Sequence, residues 1–171
     1  SGADLTINQS GVEDLVGFTV PVTSIVGALN ELKAEAASFP TVTVTVGAVA
    51  LVAGELLSMG TGSTVAKADA DVAAPTRYPI GFATAVAGIG VSTEMQIAGE
   101  LTIPSAVWTG GTPGATDGGK RVYMSTTPGK VTLTSPTSAA RSQRVGIVSF
   151  ADAGAETTRI VIQFGEGVDL P

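Results

Sequence analysis

Thr41-Val42-Thr43-Val44-Thr45-Val46 alternates apolar and polar β-branched residues without a fault. A period of two puts the valines on one face and the threonines on the other, the mark of a strand with one buried and one wet face. β-Branched side chains also suit a pleated surface. From this stretch to the C-terminus, short apolar runs alternate with Gly, Pro and Ser/Thr clusters, which predicts an all-β region. Strands are expected at 42–46, 48–52, 55–59, 64–67, 79–86, 91–97, 101–103, 121–125, 130–134, 144–150 and 158–164. Thr127-Pro128-Gly129-Lys130 predicts a type II turn, with Pro setting the first central dihedral and Gly accepting a positive φ at the second. Residues 109–119 carry no bulky side chain, which predicts a long exposed loop.

The β region also repeats itself. Gly54-Glu55-Leu56-Leu57-Ser58-Met59 aligns with Gly119-Lys120-Arg121-Val122-Tyr123-Met124 at an offset of 65. Val65 with Val131, Ile80-Gly81 with Val145-Gly146, Ala87-Gly88 with Ala153-Gly154, and Gly99-Glu100 with Gly165-Glu166 follow at 65 or 66. The repeats, 54–100 and 119–166, bury too little surface to stand alone, so one pseudo-symmetric barrel or sandwich over 41–168 is expected. Met59 and Met124 should then face inward at equivalent places in one shared core. Gly81 and Gly146 should each sit where a neighbour leaves no room for a Cβ.

Upstream, Pro21 and Pro40 bound a segment with a different period. Ser24 can cap a helix, and Ile25, Leu29, Leu32 and Ala36 follow in steps of 4, 3 and 4, a heptad seam. A helix over 23–38 is too short to be stable alone and needs a partner surface. It packs either on its own domain or, the preferred expectation, against identical helices of neighbouring subunits. Residues 1–22 have no clear period but are rich in apolar side chains. They are expected to be a docking arm rather than a free tail, using Leu5, Ile7, Val12, Leu15 and Phe18.

Composition narrows the chemistry. Charged residues make up 14% of the chain and the net charge is −6, which argues against nucleic acid as a partner. Cysteine and histidine are both absent, so disulfides, zinc-thiolate sites and His-based catalysis are excluded. No apolar run is long enough to span a membrane and the N-terminus does not look like a leader, so assembly in a cytoplasm is expected. Lys67 and Lys120 lack a Ser-x-x-Lys context, and Gly60-Thr61-Gly62-Ser63-Thr64 lacks the Gly-Lys-Ser/Thr of a phosphate loop, so it reads as a turn. Asp69 and Asp71 are too few oxygens for calcium. Glu55, Glu94, Glu100, Glu156 and Glu166 have no spacing that asks for a glycosidase pair. Trp108, Tyr78 and Tyr123 read as core or interface anchors before a sugar platform. No enzyme, cofactor or metal is expected.

Two resemblances bear on function. Val26-Gly27-Ala28-Leu29-Asn30-Glu31-Leu32-Lys33 resembles a word recurring in tailed-phage virion proteins, where it is a connector helix that trimerises between an anchoring arm and a β-rich head. Ala53-Gly54-Glu55-Leu56-Leu57, Lys67-Ala68-Asp69-Ala70, Ile80-Gly81-Phe82-Ala83, Gly119 to Val131 and Val145-Gly146-Ile147-Val148 follow one another as in the small β domain of phage capsid decoration and head-fibre proteins. The resemblance implies a non-enzymatic virion protein on the capsid surface, a homotrimer gathered by Ile25, Leu29, Leu32 and Ala36 that binds the major capsid protein. The alternative it leaves is a tail or baseplate fibre segment that touches a host receptor through loop 109–119 and Trp108. The expected fold is mainly β: an N-terminal extended arm, one short α-helix, and a small β-barrel or β-sandwich domain built from two similar halves.

Overall fold

In the computed structural model the chain divides after Ser38. The structure describes residues 40–72, 78–137, 141–151 and 157–169. The arm 1–22 and helix 23–38, with Leu5, Ile7, Val12, Leu15, Phe18, Ile25, Leu29, Leu32 and Ala36, lie outside the described residues.

The described part is mainly β and has two halves. In the first, β1 (Thr41–Val46), β2 (Leu56–Met59), β3 (Thr64–Lys67), β4 (Pro79–Ala83) and β5 (Ser92–Gln96) close into a barrel in the order β1-β3-β2-β4-β5. β1 closes it by running antiparallel to β5 from Thr41 to Thr45 and parallel to β3 at Thr45 and Val46. Val46, Leu51, Leu57, Val65, Ala83, Ala87 and Met95 fill the interior. The second half is a curled sheet of β6 (Gly99–Pro104), β10 (Thr157–Ile162), β9 (Arg141–Ala151), β7 (Arg121–Met124) and β8 (Val131–Thr132), in that spatial order. The short β11 (Gly167–Asp169) pairs with the start of β9.

The pairings reproduce the repeat. Leu57 faces Gly81 and Ser58 faces Pro79, with a register shift between Leu57 and Ser58. Val122 faces Gly146 and Tyr123 faces Arg144, with the shift between Val122 and Tyr123. The same bulge therefore recurs 65 residues on. Met59 opposite Val65 matches Met124 opposite Val131, and Ala83 opposite Met95 matches Val148 opposite Ile160. Gly81 and Gly146 meet their expectation. A Cβ on Gly81 would lie 2.6 Å from Met95 Sδ and 2.9 Å from Gln96 O, and one on Gly146 would lie 2.7 Å from Val161 O. These glycines let neighbouring strands approach at matched places.

Two expectations need correcting. The halves do not share one barrel: the first closes on itself, whereas the second stays open between β6 and β8, where Trp108 and Val131 make only a single parallel bridge. The reason lies in strands apolar on both faces. Leu57 and Ala83 point into the barrel, while Leu56 and Phe82, one residue away, point out of it and pack in the second half's core with Ala68 and Ala70. The first half thus completes the second, and each fully buried Leu or Phe contributes about 1.5–3 kcal/mol. Met59 also departs from its expectation. It holds the register place of Met124, yet it is 45% exposed where Met124 is fully buried.

Candidate functional site

The motif segments separated in sequence meet at the joint between the halves. The Thr127–Lys130 turn forms as expected, with the Lys130 N–H donating to Thr127 O at 3.1 Å and Gly129 at φ 77°. Its tip enters the first half. Gly129 O accepts from the Leu56 N–H, the Gly129 N–H donates to Ala68 O, and the Ala68 N–H donates to Leu56 O, each within 2.9 Å. Two residues on, the Ala70 N–H donates to Ser125 O and Ala70 O accepts from the Arg141 N–H, both at 3.1 Å. The backbone is paired straight across the joint.

Under the turn lies an ion pair. Lys67 Nζ is 2.6 Å from Glu55 Oε1, with side chains only 20% and 9% exposed. The other oxygen, Glu55 Oε2, accepts from the Val52 N–H at 2.8 Å. A Cβ on Gly129 would come within 3.2 Å of both Lys67 and Glu55, so glycine at the tip is what lets the turn seat on the pair. Burying two charges is costly unless they are paired and hydrogen-bonded, and here they are. The sequence motifs Ala53-Gly54-Glu55, Lys67-Ala68-Asp69-Ala70 and Pro128-Gly129-Lys130 thus specify one structural joint.

Other candidate residues have definite structural places. Lys120 Nζ is 2.6 Å from Asp117 Oδ1, and the Gly114 N–H donates to Asp117 Oδ2 at 2.7 Å. The bond from Lys120, then that from Gly114, holds the Asp117 carboxyl below its ordinary value of 3.8. These bonds organise loop 109–119, where Ala115–Asp117 forms a 3-10 turn and Pro113 is buried, so the loop is less open than expected. Glu100 accepts from Ser149 Oγ and pairs with Arg159, which stacks 4.6 Å over Phe150. Asp69 Oδ1 caps the Asp71 N–H at 2.9 Å, a local turn in solvent. Gly60–Thr64 is a hairpin turn closed by the Gly60 N–H donating to Thr64 O at 2.7 Å. Among the described residues, no group of three or more carboxylates could hold a metal ion.

Trp108 is a core residue, 5% exposed, at the register place of Val46. The wider, open second half takes a larger side chain there. Sequence reasoning missed Arg141, which holds the end of the chain. Its guanidinium lies 4.7 Å over Tyr78, bonds Gln143 Oε1 at 3.0 Å and Asp169 at 2.7 Å, and packs on Gly167. No local pattern announces such a cluster, because its members come from three separated segments. No protein-family model matches the chain, and no curated protein is significantly similar to it.

Proposed function

We propose that the chain is a non-enzymatic structural protein of a tailed-phage virion that decorates or cements the capsid surface as a homotrimer. Residues 1–22 lie on the shell through Leu5, Ile7, Val12, Leu15 and Phe18. Residues 23–38 gather three copies through Ile25, Leu29, Leu32 and Ala36, and the β region projects outward. Binding that favours the assembled shell stabilises it by mass action.

The observation that supports this reading is the joint. The ordered motifs that resemble the decoration and head-fibre domains are the ones whose residues, Glu55, Lys67 and Gly129, interlock the two halves. Lys67 and Lys120 are each paired with a carboxylate, Glu55 and Asp117. The fibre alternative relied on Trp108 beside loop 109–119, and Trp108 is buried. The test is co-sedimentation with empty capsids of the phage that encodes the chain. Full-length protein is expected to pellet with them. A chain lacking residues 1–22 should keep its β-type circular dichroism yet stay in the supernatant. Full binding without the arm removes its anchoring role, and failure of the intact chain to bind any capsid removes the capsid reading.

A further inference from the structure

Loop 109–119 contains the chain's one Asp-Gly step, Asp117-Gly118, and the sequence holds no Asn-Gly. That dipeptide carries its own chemistry. The main-chain nitrogen of the residue after an aspartate can attack the side-chain carbon Cγ and close a five-membered imide. Glycine is the most permissive residue for this step, because it has no side chain beside the attacking nitrogen and its backbone turns freely. Gly118 is exposed, and a Cβ placed on it would meet nothing within 4 Å. Water reaches the bond and no neighbour crowds it.

What restrains the reaction is where the carboxylate is held. Oδ2 accepts from the Gly114 N–H at 2.7 Å, and Oδ1 lies 2.6 Å from Lys120 Nζ. The Asp117 N–H donates to Gly114 O at 2.9 Å, closing the 3-10 turn and keeping residue 114 beside the side chain. One oxygen is thus committed to a residue before Asp117, whereas the attacking nitrogen belongs to the residue after it. For Gly118 N to approach Cγ, the side chain must first leave Gly114. The reaction also expels one carboxyl oxygen as water, which needs the neutral acid, and both bonds favour the charged form. Lys120 is itself anchored. Its N–H donates to Asp117 O at 3.0 Å, and its O accepts from the Val148 N–H on β9 at 2.9 Å. The clamp therefore stands on the sheet and not on the loop alone.

We propose that Asp117-Gly118 is a site of slow spontaneous isomerisation and that Lys120 and Gly114 set its rate. The inference is independent of the capsid reading. In the first step the bond from Gly118 N to Asp117 Cγ forms, the amide proton is lost, and the carboxyl hydroxyl leaves with a proton as water. Water then adds to the imide. Opening at the Asp117 main-chain carbonyl routes the chain through the side chain, giving isoaspartate; opening at Cγ restores Asp117. Isoaspartate adds a methylene to the backbone between the Gly114 cap and the Gly119 N–H, which donates to Val148 O at 2.8 Å, and so loosens the loop where it joins the sheet. The test ages the full-length protein at neutral pH, measures isoaspartate by enzymatic methylation and locates it by fragmentation mass spectrometry. Wild type is expected to gain isoaspartate at residue 117, more slowly than the same chain unfolded in urea. The Lys120 side chain is 57% exposed, so Lys120→Met leaves the core untouched; it frees Oδ1 and should raise the rate severalfold. Lys120→Arg keeps a cation beside the carboxylate and should stay near wild type. Gly118→Ala sets a methyl next to the attacking nitrogen and should lower the rate. An aged Lys120→Met chain without isoaspartate at residue 117 overturns the site. Equal rates in Lys120→Met and wild type, a Lys120→Arg rate as high as that of Lys120→Met, or a folded wild type as fast as the chain in urea overturns the clamp.

Discussion

At Gly81 and Gly146 a single missing methyl group sets how closely two strands approach. The obstacle at Gly146 is a backbone oxygen, Val161 O, 2.7 Å from where a Cβ would stand. At Gly81 the nearest atoms belong to the flexible Met95 side chain, with the Gln96 backbone oxygen behind at 2.9 Å. Both Gly81→Ala and Gly146→Ala should destabilise the fold, within the about 1–3 kcal/mol typical of overpacking. Gly146→Ala should be the worse, because backbone yields less than a methionine; urea titration of the two variants decides. Asp117 supports a second prediction at this scale. Its carboxyl is held below 3.8 in the fold, so the folded state favours the ionised form. The resulting stabilisation is complete above the ordinary carboxylate value and is lost as pH falls through Asp117's own, lower value. Asp117→Asn, which keeps an acceptor oxygen but never carries the charge, should protect the Gly114 amide less than wild type at neutral pH and match wild type in strong acid. Amide exchange at Gly114, followed as pH is lowered, is the measurement; equal protection in both proteins at neutral pH refutes the idea.

At the level of strands, the period-2 pattern was a good guide where one face is buried and a poor one elsewhere. The strand at 64–67 forms with the expected bounds, and 41–46 begins one residue early. The expected strand 48–52 does not form: its apolar residues find no neighbouring strand, and Leu51 instead plugs the barrel end through a bridge to Ala87. β11 has no sequence signature because Gly167-Val168-Asp169 has no apolar run; it is held by Arg141, the register partner of Asp169 on the neighbouring β9. The adjacent pairs Leu56-Leu57 and Phe82-Ala83 were the legible sign that these strands are buried on both faces. They give a sharp contrast to measure. Leu57→Ala and Leu56→Ala should each cost about 2–5 kcal/mol, but in different places. Hydrogen exchange should rise first in β1 and β5 for Leu57→Ala and first in β7 and β8 for Leu56→Ala. Identical exchange patterns would mean that the two clusters act as one.

Across the whole described region, the repeat and the joint decide the architecture, and the joint turns on Glu55 and Lys67. Lys67→Ala leaves a carboxylate 9% exposed without its cation. It should cost about 2–3 kcal/mol, less than the ~3–5 kcal/mol of a wholly buried pair, since Lys67 keeps some contact with water. The double variant Glu55→Gln with Lys67→Met removes both charges and should recover most of that loss in thermal melts. A double variant no more stable than Lys67→Ala would show that the pair's electrostatics are not what matters there. The repeat was visible in spaced glycines and methionines, but the division into a closed and an open half was not, since it depends on which outward faces meet in space. That arrangement also has a consequence for a chain leaving the ribosome. The first barrel can close once β5 has emerged, yet on its outer face Leu56 waits for the Gly129 turn, about 30 residues later, and Phe82 waits for Phe164, about 70 residues later. At ordinary translation speeds the longer wait is about 3–14 s. For those seconds a finished barrel shows a bare hydrophobic flank, the interval in which a nascent chain is most open to chaperone capture or to sticking to its neighbour on the same message.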